Sequence, residues 1–106
     1  MITFDEFKKL ELRVAKITDA QRVAESEKLL QLTITLGREE RTIVAGIGNR
    51  YAPEALAGKS IVIIANLEPR LLMGIESHGM LLAANSDTGP VLLQPESDVL
   101  PGTEVK

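Results

Sequence analysis

The residues in this chain of 106 that could do chemistry are suited to holding an anion rather than to breaking a bond. Lys28, Arg41 and Arg70 carry fixed positive charge, with Arg22 a few residues ahead of the first. Around Arg70 stand an amide, Asn66, a hydroxyl, Ser77, and an imidazole, His78, all able to hydrogen-bond a polar ligand; Met80 follows closely. Zero cysteines exclude disulfides, thiolate zinc sites and cysteine nucleophiles, and a single histidine leaves no conventional metal cluster. His78 has no nucleophile motif nearby, and the acidic pairs Glu39-Glu40 and Glu25/Glu27 have nothing that makes them an acid–base couple. Gly46-Ile-Gly48 lacks the spacing of a phosphate-cradling glycine loop. We therefore expect no enzyme activity, no cofactor and no metal, and a non-covalent binder instead.

Each candidate also has a plainer reading. Lys28 and Arg41 could be solvated charges at strand ends. Asn66 could satisfy loop backbone, Ser77 could hold its own loop, and Met80 could fill core. Convergence in space decides between the two.

The elements that must bring these residues together are short strands. Leu30 to Leu36 reads L-Q-L-T-I-T-L, an alternation that buries Leu30, Leu32, Ile34 and Leu36 and exposes Gln31, Thr33 and Thr35. Before it, Leu12 to Thr18 is β-rich, but Val14 and Ile17 fall out of phase, which predicts a bulge near Ala15 and Lys16. Gly37 to Glu40 predicts a hairpin turn into a strand from Arg41 to Ile47. Pro53 to Gly58 predicts a short helix, Ile61 to Leu67 a strand, Glu68 to His78 a loop, and Gly79 to Ala84 a further strand. That order, β-β-β-α-β-β, is the one expected of an OB-fold, an all-β five-stranded Greek-key barrel. A leading helix over Phe4 to Leu10 and a C-terminal extension with an extra strand, Asn85 to Lys106, complete one domain over 1–106 whose barrel covers about 11–84.

The length suits a single core, and 44% apolar residues with no run near 18 long predict a soluble protein with no membrane partner. Met1 to Leu10 is neither basic at its start nor apolar in its middle, as a secretory signal would be, so a cytoplasmic protein is expected. The formal charge of −3 opposes a nucleic-acid partner in bulk, but its distribution is uneven. Residues 1–60 carry ten Lys/Arg against nine Asp/Glu, whereas residues 61–106 carry only Arg70 and Lys106 against six acids. Any basic surface must be local.

OB-folds bind ligands on the outer face of strands 2 and 3, flanked by the loops between strands 1 and 2 and between strands 4 and 5. Those loops are about Ala20 to Lys28 and Glu68 to His78, which gathers Lys28, Arg41 and Arg70 with Asn66 and Ser77. The aromatic residues are Phe4, Phe7 and Tyr51, none expected on that face, so single-strand binding by base stacking is disfavoured. Shape reading of folded RNA through its backbone is not.

Leu12-Arg13-Val14, Lys28-Leu29, Arg41 to Ile47, Tyr51-x-Pro-Glu54, Ala65-Asn-Leu-x-Pro-Arg70 and Gly74-Ile-Glu-Ser-x-Gly-Met80 follow one another in the order of a known family's shared segments. The chain resembles the tRNA-binding domains that include the C-terminal domain of methionyl-tRNA synthetase, stand-alone bacterial structure-specific tRNA-binding proteins and modules of multisynthetase complexes. The resemblance implies binding to the folded outer corner of tRNA without regard to sequence. Taken with the ligand face mapped above, the expectation is that Lys28, Arg41 and Arg70 meet phosphates, with Asn66, Ser77 and Met80 shaping the surface. It also implies a homodimer formed through 1–10 and 85–106, serving a methionyl-tRNA synthetase catalytic chain in cis or in trans; a start at Met1 favours a separate chain. Two departures stand out. Many members carry a further basic residue after Pro69-Arg70, where this chain has Leu71, Leu72 and Met73, and the usual His-Pro-x-Ala-Asp of the first loop is replaced by Arg22 to Glu27. The alternatives are a CsaA-type export chaperone that binds unfolded polypeptide, and a purely structural dimerisation domain.

Overall fold

Strand β1 (Leu12–Arg22) is the longest element of the computed structural model, which describes residues 1–106. From Lys16 to Arg22 it pairs antiparallel with β2 (Leu30–Thr35). From Leu12 to Lys16 it pairs with β4 (Ser60–Ile64), and Leu12 and Arg13 also face β10 (Glu104–Val105). Because Leu12 lies opposite both Ile64 and Val105, these two partners occupy opposite edges of the same strand.

The bulge expected at Ala15 and Lys16 is not there: pairing with β4 runs unbroken from Leu12↔Ile64 to Lys16↔Ser60. Val14 seemed out of phase because this half of β1 is covered on both faces. Ala15 and Ile17 point into the main core, while Leu12 and Val14 are buried outside that cluster. The register shift lies instead between Ile17 and Asp19, and the Thr18 hydroxyl there donates to the Thr33 carbonyl at 3.2 Å.

Strand β2 follows its alternation, with Leu30, Leu32 and Ile34 fully buried, and pairs with β3 (Glu40–Ala45) from Leu30↔Ala45 to Thr35↔Glu40. The helix expected after β3 is a single 3-10 turn, Pro53–Ala55, whose sequel Leu56 is fully buried in the core. Tyr51 ties this region to the C-terminal third: its hydroxyl accepts the Leu92 N–H at 3.1 Å.

The expected loop Glu68 to His78 is a β-hairpin, β5 (Arg70–Leu72) and β6 (Ile75–Ser77). Met73 and Gly74 turn it with φ of 49° and 80°, both positive as a two-residue type I′ turn requires. Strand β7 (Met80–Leu81) then pairs with β4, giving the sheet order β3-β2-β1-β4-β7. The sheet closes on itself where His78 donates its N–H to the Thr42 carbonyl at 2.9 Å. This is the Greek-key order of an OB-type all-β barrel.

Beyond the barrel, β8 (Ala83–Ser86) and β9 (Gly89–Leu92) form a second hairpin. The leading helix is one turn, α1 (Phe4–Phe7), closed by a Thr3–Glu6 capping box and ended before Leu10. No helix is long and apolar enough to cross a membrane.

The C-terminal segment docks through glycine. Gly102 donates its N–H to the Val14 carbonyl at 2.7 Å and its carbonyl accepts Arg13 Nη1 at 2.8 Å. Its φ is +91°, and a Cβ there would stand 2.3 Å from the Leu36 carbonyl oxygen. Gly58 has a similar φ of +93° with open space around it. Gly102→Ala is therefore expected to cost about 2–4 kcal/mol, against about 1–2 kcal/mol for Gly58→Ala. Urea titrations of the two variants check the difference.

Candidate nucleic-acid interface

The inward and outward phases of β2 and β3 fix what the outer face can offer. Leu30, Leu32 and Ile34 point in with Ile43 and Ala45, so Gln31, Thr33, Thr35, Thr42 and Val44 point out. Thr33 lies opposite Thr42, and Gln31 opposite Val44. The side chains of Gln31, Thr33 and Thr42 make no hydrogen bond within the protein, which leaves an uncharged polar row open to a ligand. These three are functional candidates that a search for charges passes over; the alternation of β2 was the signal that exposed two of them.

Lys28 stands at one end of this row. Its backbone carbonyl accepts the Gly48 N–H at 2.7 Å, and its stem crosses Gly46, where a Cβ would come within 2.9 Å of Lys28 Cε. The glycine gives the lysine a track, and its ammonium is exposed with no ion pair. Arg22 does not join it as a free charge, because its Nη1 donates to the carbonyls of Glu27 and Gly48 and so clamps the loop.

Arg41 stands at the other end, roughly 17 Å from Gly46 at about 3.4 Å per residue. It shares the inward phase of Ile43 and Ala45, and its guanidinium donates to the Ala65 carbonyl and pairs with Glu39 at 3.0 Å. Its side chain is 24% exposed, and these two partners hold it at the barrel mouth. A polar hollow beside it is lined by Thr33, Glu39, Glu40, Thr42 and His78.

Arg70 opens β5 opposite Ser77, and it is exposed with no ion pair. Ser77 is 3% exposed; its hydroxyl accepts the Val44 N–H at 2.9 Å and donates to the Gly79 carbonyl at 3.3 Å. It seats the hairpin against β3 and thereby sets where Arg70 stands. On the outward side of the hairpin, His78 Nε2 lies 2.7 Å from Glu76 Oε1.

Asn66 and Met80 are not gathered into this group. Asn66 Oδ1 accepts the Glu11 N–H at 2.8 Å and its Nδ2 donates to the Lys9 carbonyl at 2.7 Å, so the amide pins the entry to β1 beside the groove under α1. Met80 lies opposite Ile64 on the outside of the barrel, on the same face as Leu12. The structure thus brings together Lys28, Arg70 and, at a distance, Arg41, around a threonine row.

Two ionisable groups are displaced from their ordinary behaviour, and both act away from this face. The Arg13 guanidinium is held more firmly protonated by its hydrogen bond to Glu11, against the desolvation that opposes it. At Tyr51, desolvation pushes the phenol upward, but the Leu92 N–H and the neighbouring Arg50 outweigh it and the net direction is downward. No cluster of three or more histidines or acids could hold a metal ion.

Comparison with known proteins adds to this geometry. The family model described as "Putative tRNA binding domain" matches residues 12–104. The chain belongs to this tRNA-binding family. It is 54% identical over 104 residues to the methionine–tRNA ligase of Thermotoga maritima, covering 98% of this chain and 16% of the ligase. The chain thus spans about one sixth of the length of the curated relatives it matches, and what they share with it is the non-catalytic tRNA-binding module. Among solved structures it is similar to a MetRS-related protein from Pyrococcus horikoshii, with a TM-score of 0.93 and 36% identity over 100% of this chain and 98% of that one. It is similar also to the chaperone CsaA of Bacillus anthracis, with a TM-score of 0.91 and 30% identity over 100% and 99% of the two chains.

In this tRNA-binding barrel Ser77 is the residue on which the position of the hairpin turns. Ser77→Ala leaves the buried Val44 N–H without a partner, for an expected loss of about 1–3 kcal/mol. Amide hydrogen exchange should quicken at Val44 and along β6, and unchanged protection there would separate the hairpin from this contact.

Proposed function

We propose that the chain is a non-catalytic module that binds folded tRNA by shape, placing Lys28, Arg41 and Arg70 toward phosphates, with Ser77 holding the hairpin that carries Arg70. The observation that carries this reading is the pair of exposed, unpaired cations, Lys28 and Arg70, flanking an open row of Gln31, Thr33 and Thr42 in a member of a tRNA-binding family. Phosphates take the cations, and the hydroxyls and amide suit ribose oxygens. Arg41, already spent on Glu39 and Ala65, contributes less than the other two.

The relatives' name gives the larger setting. Joined to or associated with a methionine–tRNA ligase catalytic body in the cytoplasm, the module raises the local concentration of tRNA without new contacts at the reaction centre.

The same reading includes a homodimer, with α1 and the C-terminal extension at its interface. Its support is an apolar ladder on the outside of the barrel, Val105, Leu12, Ile64 and Met80, whose middle rungs Leu12 and Ile64 are buried within the chain while Met80 stays 40% exposed and Val105 half-buried. The single turn of α1 leaves Phe4 72% exposed beside the groove lined by Phe7, Leu10 and Val105. A second copy would cover what the short helix cannot.

A second reading, binding of unfolded polypeptide, is favoured by the likeness to the chaperone CsaA over the whole chain. It predicts capture of a denatured protein that tRNA neither assists nor displaces.

Titration against folded tRNA and a length-matched unstructured RNA at two salt concentrations tests the main reading, with tighter binding to tRNA expected. Lys28→Ala and Arg70→Ala should each weaken all tRNAs about equally and lower the salt slope by about one. Unchanged binding in both variants would exclude this face. Removal of residues 85–106, or Phe4→Asp in the full chain, should shift sedimentation from dimer to monomer; a dimer that survives both changes would reject the proposed interface.

A further inference from the structure

The tip of the β5–β6 hairpin is apolar and open to solvent. Leu71 is 73% exposed and Met73 56% exposed. The register of the hairpin explains Leu71: Arg70 and Leu72 share one face with the buried Ser77, so Leu71 points the other way, beside Glu76. No packing inside the chain calls for an apolar residue at that position. Met73 is stranger, because it holds a φ of 49° at a turn position where glycine, asparagine or aspartate is at ease. The backbone accepts strain there while the side chain stays outside the core. Strain kept without a packing return points toward a ligand.

The neighbours narrow the chemistry of that ligand. Arg70, the preceding residue, is an exposed cation without an ion pair on the opposite face of the same strand. The one acid on the outward side of the hairpin, Glu76, sits 2.7 Å from His78. A leucine and a methionine gain nothing from phosphate, and the largest apolar surface a nucleic acid offers them is the face of a base. The outer face of β2 and β3 has no aromatic ring to supply that contact. Leucine and methionine are also the kinds of side chain that act as wedges against unstacked base steps. A two-residue turn that fixes the tip beforehand spares the ordering cost of such a contact.

We propose that Leu71 and Met73 form an apolar wedge that packs against an exposed nucleobase face in a folded loop of the bound RNA. This rests on the tRNA-binding reading and adds to it a component of affinity that salt does not weaken. The wedge also accounts for how an acidic chain with only Lys28 and Arg70 as unpaired cations beside the threonine row would hold RNA.

The test compares the full chain with Leu71→Ser, Met73→Gly and Arg70→Ala, titrated against folded tRNA at two salt concentrations. All three positions are exposed, and glycine relaxes the turn, so the variants should melt with the parent. Leu71→Ser and Met73→Gly are expected to weaken tRNA binding roughly tenfold at both salts with the slope unchanged, whereas Arg70→Ala lowers the slope. Binding by Leu71→Ser and Met73→Gly as tight as that of the parent overturns the wedge and leaves the tRNA reading standing. A parent that does not bind tRNA overturns both. Loss of denatured-polypeptide capture in these variants, with tRNA affinity intact, also overturns the wedge and assigns the tip to a protein partner.

Discussion

Strand β1 has two hydrogen-bonding edges and three partners, and the rest of the molecule follows from how they share it. Its second half gives one edge to β2; its first half gives one edge to β4 and the other to β10. The changeover falls at the irregularity around Thr18, where an extra residue lets the strand bend from one half of the barrel into the other. Had β1 stayed regular, β4 would continue a flat sheet and the barrel could not close onto β3. The same sharing leaves Leu12 and Ile64 on the outside, next to Val105 and Met80. A single pairing decision therefore builds both the enclosed core and the apolar ladder on its exterior.

Closure depends on polar groups as much as on apolar ones. Strand β3 is the far edge of the sheet, and an open edge is a template for unwanted pairing. Here the edge is taken up by Ser77 and His78, which bond Val44 and Thr42 through one side chain and one amide. These contacts stabilise the barrel and also fix the hairpin that carries Arg70, so a residue with no reach to a ligand determines where a cation is presented. Asn66 has the same kind of role at the entry to β1, where its amide spans Lys9 and Glu11.

Much of this is legible in the sequence. The L-Q-L-T-I-T-L alternation fixed β2 and its faces, Pro53 marked the turn after β3, and the strand order led to the barrel. What escaped has identifiable causes. Met73-Gly74 does not look like a hairpin turn because a methionine occupies a left-handed position, so β5 and β6 were hidden in a loop. Val14 mimicked a bulge because burial on both faces erases the period of two. Strand β10, two residues long between Thr103 and Lys106, is too short for any pattern and exists only because β1 offers a vacant edge. Arg41 is the instructive case: its charge marked it as a ligand group, yet its phase with Ile43 and Ala45 already turned it inward, toward Ala65. Phase was the better guide than charge.

The electrostatics of the outer face follow from that lesson. A chain with net charge −3 cannot attract a polyanion from a distance, since its summed field has the wrong sign. At physiological ionic strength, however, interactions between exposed charges fade over about 8 Å, so only the charges within one phosphate's reach matter once contact is made. Lys28 and Arg70 satisfy that condition because neither is neutralised within the chain, whereas Arg41 is held by Glu39. Between the cations the face is built from threonines and a glutamine, which ask for hydrogen bonds at set positions and carry no charge. A surface of this kind rewards a ligand whose phosphates and hydroxyls are already fixed in space and gives little to a flexible strand of the same charge, which would lose its freedom to match the same few points. In the proposed reading, discrimination by shape comes from scarcity: with few cations on this face and no aromatic platform, only a preformed backbone would satisfy enough of the face at once.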